Sequence, residues 1–188
     1  MVNNRLDPDM HTIRRYLSGE RHAFNELVKQ YERFVYNLAY RMSGNGSDAA
    51  DLTQEIFLHL HRKLPGFRGD SAFSTWLYRL AINYCKDWLR KESHRAETVE
   101  ADETLLDGGM LPHQAYEQKE IETIVQKAIL ELPKDQRIVV ILHDLNGYSY
   151  EEIADITESP VGTVKSRLAR ARLKLAEKLA PYGNSLRE

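Results

Sequence analysis

Apolar residues recur along most of the chain at spacings of three and four, the period of a helix that buries one face. Phe24, Leu27, Val28, Tyr31, Phe34, Val35, Leu38 and Met42 form the first such stripe. Gly44-Asn45-Gly46-Ser47 interrupts it with turn residues and supplies an N-cap for the next helix. That helix spans about Asp48 to Lys63, with Leu52, Ile56 and Leu60 facing inward and Pro65-Gly66 ending it. A loop from Phe67 to Asp70 leads into a long helix from about Phe73 to Lys91. From Ser93 to about Pro112 the periodicity dissolves into Gly108-Gly109, Pro112 and a run of acids, the composition of a flexible linker. Beyond it, Ile121, Ile124, Val125, Ala128, Ile129 and Leu132 mark a helix stopped by Pro133, and another runs from Asp135 to Leu145, ended by Asn146-Gly147. Two more helices reach Leu179, and no internal repeat is visible. The expected fold is all-α, two small helical bundles joined by a flexible acidic linker, with divisions at 1–93, 94–115 and 116–188. Asn3 to Met10 carry no assignable role and read as a frayed end.

With 188 residues, 42% hydrophobic and 29% charged, the chain has enough apolar material for a core and enough charge to be soluble. Apolar runs such as Ile138 to Leu142 are far too short to span a bilayer. Asn3, Asn4, Arg5 and Asp7 follow Met1 with no apolar segment, so no secretory signal is expected and a cytosolic protein is. Cys85 is the sole cysteine, which excludes an internal disulfide and a multi-thiolate metal site. Its place in an apolar helical pattern suits a buried structural thiol better than a nucleophile.

The net charge of -2 does not point to nucleic acid, but its distribution does. Pro160 to Tyr182 holds Lys165, Arg167, Arg170, Arg172, Lys174 and Lys178 against Glu177 alone. Ser149 and Glu152 form an S-x-x-E capping box at the start of one short helix, with Ile153, Ala154 and Ile156 as its inner face. Thr157-Glu158-Ser159 is a turn; Ser159 is then expected to cap the next helix, with Pro160 at its first position. Val161, Val164 and Leu168 give that helix an apolar underside, and the chain expected in this bundle is a helix-turn-helix. Lys and Arg donate to guanine edges, Ser and Thr bind phosphate or base, and Ala leaves room for a thymine methyl. A solvated basic surface helix is the alternative; the cap, the turn and the one-sided basicity together favour DNA.

Two surfaces stand out in the first bundle. Asp48, Asp51 and Glu55 lie at i, i+3 and i+7 with Gln54 beside them. They fit a solvated acidic face at a helix N-terminus, a hard-cation site, or a docking surface, and the metal ranks below the solvated face because no partner acidic helix is evident. The segment Phe67 to Lys91 interleaves Phe67, Phe73, Trp76, Tyr78, Tyr84 and Trp88 with Arg68, Arg79, Lys86, Arg90 and Lys91. Rings beside cations suit single-stranded nucleic acid, whereas Phe73, Leu77, Leu80 and Tyr84 equally have core spacing; pattern alone leaves both open.

Three blocks, DAADLTQEIFLHLHRKLPGF, FRGDSAFSTWLYRLAIN and SYEEIADITESPVGTVKSRLARAR, stand in the order and at the separation of the extracytoplasmic-function (ECF) sigma factors, which the chain resembles from about Gly19 to Leu179. The resemblance implies a sigma-2 domain followed by a sigma-4 domain. It implies that Asp48, Asp51, Gln54 and Glu55 dock on core RNA polymerase. It assigns Phe67, Arg68, Asp70, Ser71, Trp76, Arg79, Asn83, Lys86 and Asp87 to the minus-ten element, read as the melted non-template strand of promoter DNA with a base flipped into a pocket. Gly162, Thr163, Lys165, Ser166, Ala169 and Arg170 are implied for the minus-thirty-five element, read as duplex. The acidic stretch from His94 to Ala115 is similar to the family's connector, which threads basic polymerase channels. An anti-sigma factor is the further partner implied, and it is what would hold the protein at a membrane; no cofactor, metal or small-molecule substrate is expected.

Two rival functions make different demands. A simple helix-turn-helix repressor would dimerise on half-sites and has no use for Phe67 to Lys91. A metal-dependent hydrolase on Asp48, Asp51 and Glu55 would need ligands from another helix, which His59 and His61, at i and i+2, do not supply. Neither a nucleophile–base pair nor a glycine-rich phosphate loop is visible, so an enzyme is not expected.

Overall fold

The computed structural model describes residues 7–96 and 113–182. Among them every regular element is a helix: α1 (Asp9–Leu17), α2 (His22–Ser43), α3 (Gly46–Lys63), α4 (Phe73–Ala96), α5 (His113–Leu130), α6 (Lys134–Val140), α7 (Tyr150–Thr157) and α8 (Val161–Leu179). None of the described helices is long and apolar enough to cross a membrane.

The first stripe becomes α2, with Leu27, Tyr31, Val35, Leu38 and Met42 buried against α3 and α4. Gly44 ends it in the left-handed region (φ 82°), which a residue without Cβ adopts freely. The Asn45 side chain then accepts from Ser47 N at 2.7 Å and Asp48 N at 3.3 Å, so α3 starts two residues before the Asp48 expected from the pattern. Leu52, Ile56 and Leu60 are buried as their spacing requires.

Residues 7–10 are anchored, contrary to the frayed end expected of Asn3 to Met10; residues 3–6 lie outside the described residues. The Asp7 carboxylate accepts from Asp9 N at 3.0 Å and from Phe73 N at 2.6 Å, so one side chain starts both α1 and α4. Asp9 is itself buried, accepting from Tyr31 Oη at 2.5 Å and Gln30 Nε2 at 2.9 Å, which satisfies a carboxylate that burial would otherwise penalise.

The linker expected over 94–115 is helical at both ends, since α4 continues to Ala96 and α5 opens at His113; its acidic middle, 97–112, lies outside the described residues. The helix expected from Asp135 to Leu145 changes pitch at Val140, where Ile141–Leu145 forms a π turn. Asn146 Nδ2 closes that turn by donating to Ile141 O at 2.6 Å.

The two bundles pack on one another. One continuous apolar cluster runs from Ile13, Val35 and Leu77 to Ile138, Ile153 and Leu168. Arg137, 7% exposed, crosses the joint: its guanidinium donates to Met42 O at 2.6 Å and to the Leu130 and Leu132 carbonyls. Gln126, also buried, accepts from Arg41 Nη1 at 2.8 Å and donates to Tyr40 O at 3.1 Å. These polar groups bind backbone carbonyls at and just beyond the ends of α2 and α5.

Candidate polymerase and nucleic-acid interfaces

On α3 the inward Ala49, Leu52 and Ile56 leave Asp51, Gln54 and Glu55 exposed on the opposite side. Asp48 is half-buried; desolvation first, then the charges of Glu92 and Asp51, raise its carboxyl above the usual range. Tyr84 Oη of α4 donates to Glu55 at 3.3 Å, and burial followed by the Glu55 charge raises its phenol. The acidic face is not a ligand cage: among the described residues, the only acid and histidine group within ligating reach is Glu20, His22 and Glu26. There Arg15 already donates to both carboxylates and holds the Glu20 carboxyl low.

The start of α4 carries a ring cluster. Phe67 packs on Phe73 (5.6 Å between centroids) and Trp76 (5.1 Å), while Phe73 also meets Tyr31. Phe73 is fully buried and belongs to the core; Phe67 and Trp76 are half-buried, with one side toward solvent. Gly69 turns the loop with φ 75°, leaving Arg68 and Asp70 exposed and Ser71 half-buried. Further along, Trp76, Arg79, Asn83, Lys86 and Asp87 follow one another at helical spacing. They do not share one environment. Asn83 and Asp87 are exposed, Asp87 accepting from Arg90 at 3.1 Å. Arg79 and Lys86 instead point into the second bundle. Arg79 donates to Asp155 O at 2.7 Å and pairs with Glu158 at 2.9 Å, and Lys86 pairs with Asp135 at 3.0 Å. Cys85, on the inner side, is buried, and desolvation pushes its thiol up to about 12, an inert structural thiol.

In the second bundle the capping box forms as its spacing requires: Glu152 N donates to Ser149 Oγ at 3.2 Å, and Ser149 N to Glu152 Oε2 at 2.8 Å. α7 ends at Glu158, which takes a left-handed conformation (φ 51°) at the turn. The cap expected from Ser159 is absent. Pro160 holds the N-cap position of α8 without a side-chain bond, while Ser159 Oγ donates to Thr157 O and accepts from Arg167 Nη1 at 3.1 Å. The hydroxyl is drawn off by an inward-turned arginine that also pairs with Asp135 at 3.0 Å.

Val164, Leu168 and Ala171 bury one side of α8. The other side holds Gly162, Lys165, Ser166, Ala169 and Arg170, all exposed; Thr163 is half-buried, its carbonyl accepting from Ser166 Oγ at 3.0 Å. Lys165 Nζ lies 5.3 Å over the Tyr150 ring, and Arg170 makes no ion pair among the described residues. This face is therefore narrow, polar, cationic and open, the shape required of a helix that enters a major groove. Sequence reasoning missed Arg137, Gln126, Asp135 and Tyr148 as the joint. Polar residues at apolar positions, Gln126 and Arg137, were the signal available.

The Sigma-70 region 2 profile matches residues 27–95 and the Sigma-70 region 4 profile residues 122–175. The ECF RNA polymerase sigma-E factor of Escherichia coli is 40% identical over 182 residues, covering 92% of this chain and 95% of that protein. The RNA polymerase sigma-H factor of Pseudomonas aeruginosa is 38% identical over 185 residues, covering 93% and 95%. Among solved structures, the sigma factor RpoE of Bartonella quintana, in complex with the anti-sigma factor NepR, is 27% identical with a TM-score of 0.66 over 85% of this chain and 98% of that one. CnrH, in complex with the cytosolic domain of CnrY, is 23% identical with a TM-score of 0.69 over 92% and 97%, a likeness of fold.

Proposed function

The chain belongs to the ECF sigma factors, transcription regulators rather than enzymes, and from that premise we propose how its surfaces divide the work. The protein binds core RNA polymerase and directs promoter-specific initiation. Residues 1–93 act as the sigma-2-like domain, 94–115 as the connector and 116–188 as the sigma-4-like domain. Asp51, Gln54 and Glu55, with Asp48 at their edge, form the polymerase-docking face; their exposure on a helix held rigidly by α2 and α4 supports this. Such a protein works in the cytoplasm, where its polymerase is. Control by an anti-sigma factor follows from the same kinship, the Bartonella quintana neighbour being a sigma factor in complex with one.

The observation that carries the DNA reading is the open face of α8. Lys165, Ser166, Ala169 and Arg170 read the minus-thirty-five duplex, with Gly162 and Thr163 against the backbone. The loop residues Phe67, Arg68, Asp70 and Ser71, then Trp76, Arg79, Asn83, Lys86 and Asp87, take the melted minus-ten strand. Extruding a base there costs about a few kcal/mol, which stacking on Phe67 and Trp76, at about 1–3 kcal/mol per base, offsets. Charge reversal at Asp51 and Glu55 together tests the docking face: core affinity falls at least tenfold with the fold intact, and unchanged affinity refutes the assignment.

A further inference from the structure

We propose that Tyr150 is a positioning residue for Lys165, and that its ring sets which upstream base pair the lysine can discriminate. The inference rests on the reading of α8 as the minus-thirty-five helix. Lys165 Nζ lies 5.3 Å from the centre of the Tyr150 ring, within the reach at which a cation is drawn to an aromatic face. Tyr150 belongs to α7, so the first helix of the helix-turn-helix holds a side chain of the second. Elsewhere on that face the Ser166 hydroxyl bonds to Thr163 O of its own helix, and the Ala169 side chain has no polar atom. Among the residues assigned to the upstream duplex, Lys165 is therefore the one steered by a ring of another helix.

The ring is itself held on several sides. Tyr150 directly follows the N-cap Ser149, and the Ser149–Glu152 box fixes the chain where α7 begins. The His143 ring of the π turn lies 4.8 Å from it, tilted by 42°. Arg172 of α8 is tied to Asp144 of the same turn, Nε donating to Oδ2 at 3.2 Å. Asp144 first, and the Tyr150 hydroxyl after it, raise that guanidinium above its ordinary range, which places Arg172 at the far end of the ring. Tyr150 is half-buried and Lys165 exposed, so the ammonium sits at the open edge of the bundle. A lysine is a point charge on a long, flexible stem, and left free it meets a phosphate as readily as a base edge. Held over Tyr150, it gives up that freedom before DNA arrives, and its ammonium reaches a narrow set of groove positions. The ring thereby turns a general cation into a reader.

The test uses the full chain on core polymerase and a promoter-length duplex library randomised across the upstream element, sequenced before and after selection by binding. Lys165→Ala marks the base pair that the lysine discriminates. Tyr150→Leu should lower discrimination at that pair about threefold, the scale of one exposed cation–π contact, and leave the pair marked by Arg170→Ala unchanged. Tyr150→Phe, which keeps the ring, should keep the discrimination, and Tyr150→Leu should change nothing further once Lys165→Ala is present. Nuclear magnetic resonance of the free chain gives a second readout: the ring current should shift the Lys165 Hε resonances upfield in the unaltered chain and in Tyr150→Phe. Unshifted resonances, discrimination untouched by Tyr150→Leu, or a loss spread equally over all upstream pairs overturns the proposal. So does a loss from Tyr150→Phe as large as that from Tyr150→Leu. If Arg170→Ala marks a pair and Lys165→Ala none, the proposal falls and the reading of α8 stands. If neither variant alters upstream preference, that reading falls with it.

Discussion

Helices α4 and α8 both carry cations at helical spacing, yet they keep them in different company. On α8 Arg167 is tied to Asp135 and Ser159, Arg172 to Asp144 and Lys178 to Glu131, while Lys165, over the Tyr150 ring, and Arg170 stay exposed. On α4 the cations at the centre of the stripe, Arg79 and Lys86, are those tied down, and its exposed members are the neutral Asn83 and the Asp87–Arg90 pair. The difference comes from packing order. α8 packs within its own bundle, against α5, α6 and α7, whereas α4 packs on α2 and α3 of its own bundle and also on α7 of the other. Whether a basic stripe is available to DNA is thus decided by elements 50 to 80 residues away, not by the stripe.

The largest expected perturbation of this contrast is at the joint. Arg137→Met removes a buried guanidinium that three carbonyls share across the two bundles. Leaving those carbonyls unpaired should lower stability by about 2–4 kcal/mol in urea unfolding, with Arg79 and Lys86 gaining exposure. A loss under about 0.5 kcal/mol would mean that the apolar contacts alone set the packing. Arg170→Ala addresses the open face by itself. It should remove about 1–3 kcal/mol of discrimination at one upstream base pair, leave thermal stability unchanged, and spare minus-ten selectivity. An equal loss on every upstream sequence would make Arg170 a phosphate contact only. Gly44→Ala acts from the other side of the joint: a left-handed position gains a Cβ that would overlap Leu130 Cδ1. The backbone strain alone should cost about 1 kcal/mol, and Leu130, a flexible side chain, must move away from the joint. The smallest effect is Ser149→Ala, about 1 kcal/mol from loss of the cap, confined to α7. Because α7 and the C-cap residue that follows it supply the acceptors of Arg79, this variant should loosen the Arg79 contacts of α4 before it disturbs α8.

The fold was legible where the determinants are local. The stripe of α2, the break at Gly44 to Ser47, the Ser149–Glu152 box and the underside of α8 all follow from spacing and capping chemistry within a few residues. The unread parts depend on partners far along the chain. Asp7 and Asp9 look like a polar end until Phe73 N, Gln30 and Tyr31 are brought to them. Ser159 has the composition of a cap, but Arg167 and Thr157 O take its hydroxyl. Arg79 and Lys86 read as solvent-facing cations because nothing nearby names Glu158 and Asp135 as their partners. The assignments on α3, α4 and α8 came from motif order, since spacing alone left an acidic face and a ring-rich helix with several uses.

Run-off transcription tests the central claim most directly: purified core polymerase on a genomic DNA library, with and without the full chain. The account predicts discrete new start sites that share one upstream and one downstream element, with the upstream preference weakened by Arg170→Ala. A chain that binds core polymerase yet yields no new starts, or starts that share no upstream element, would contradict it.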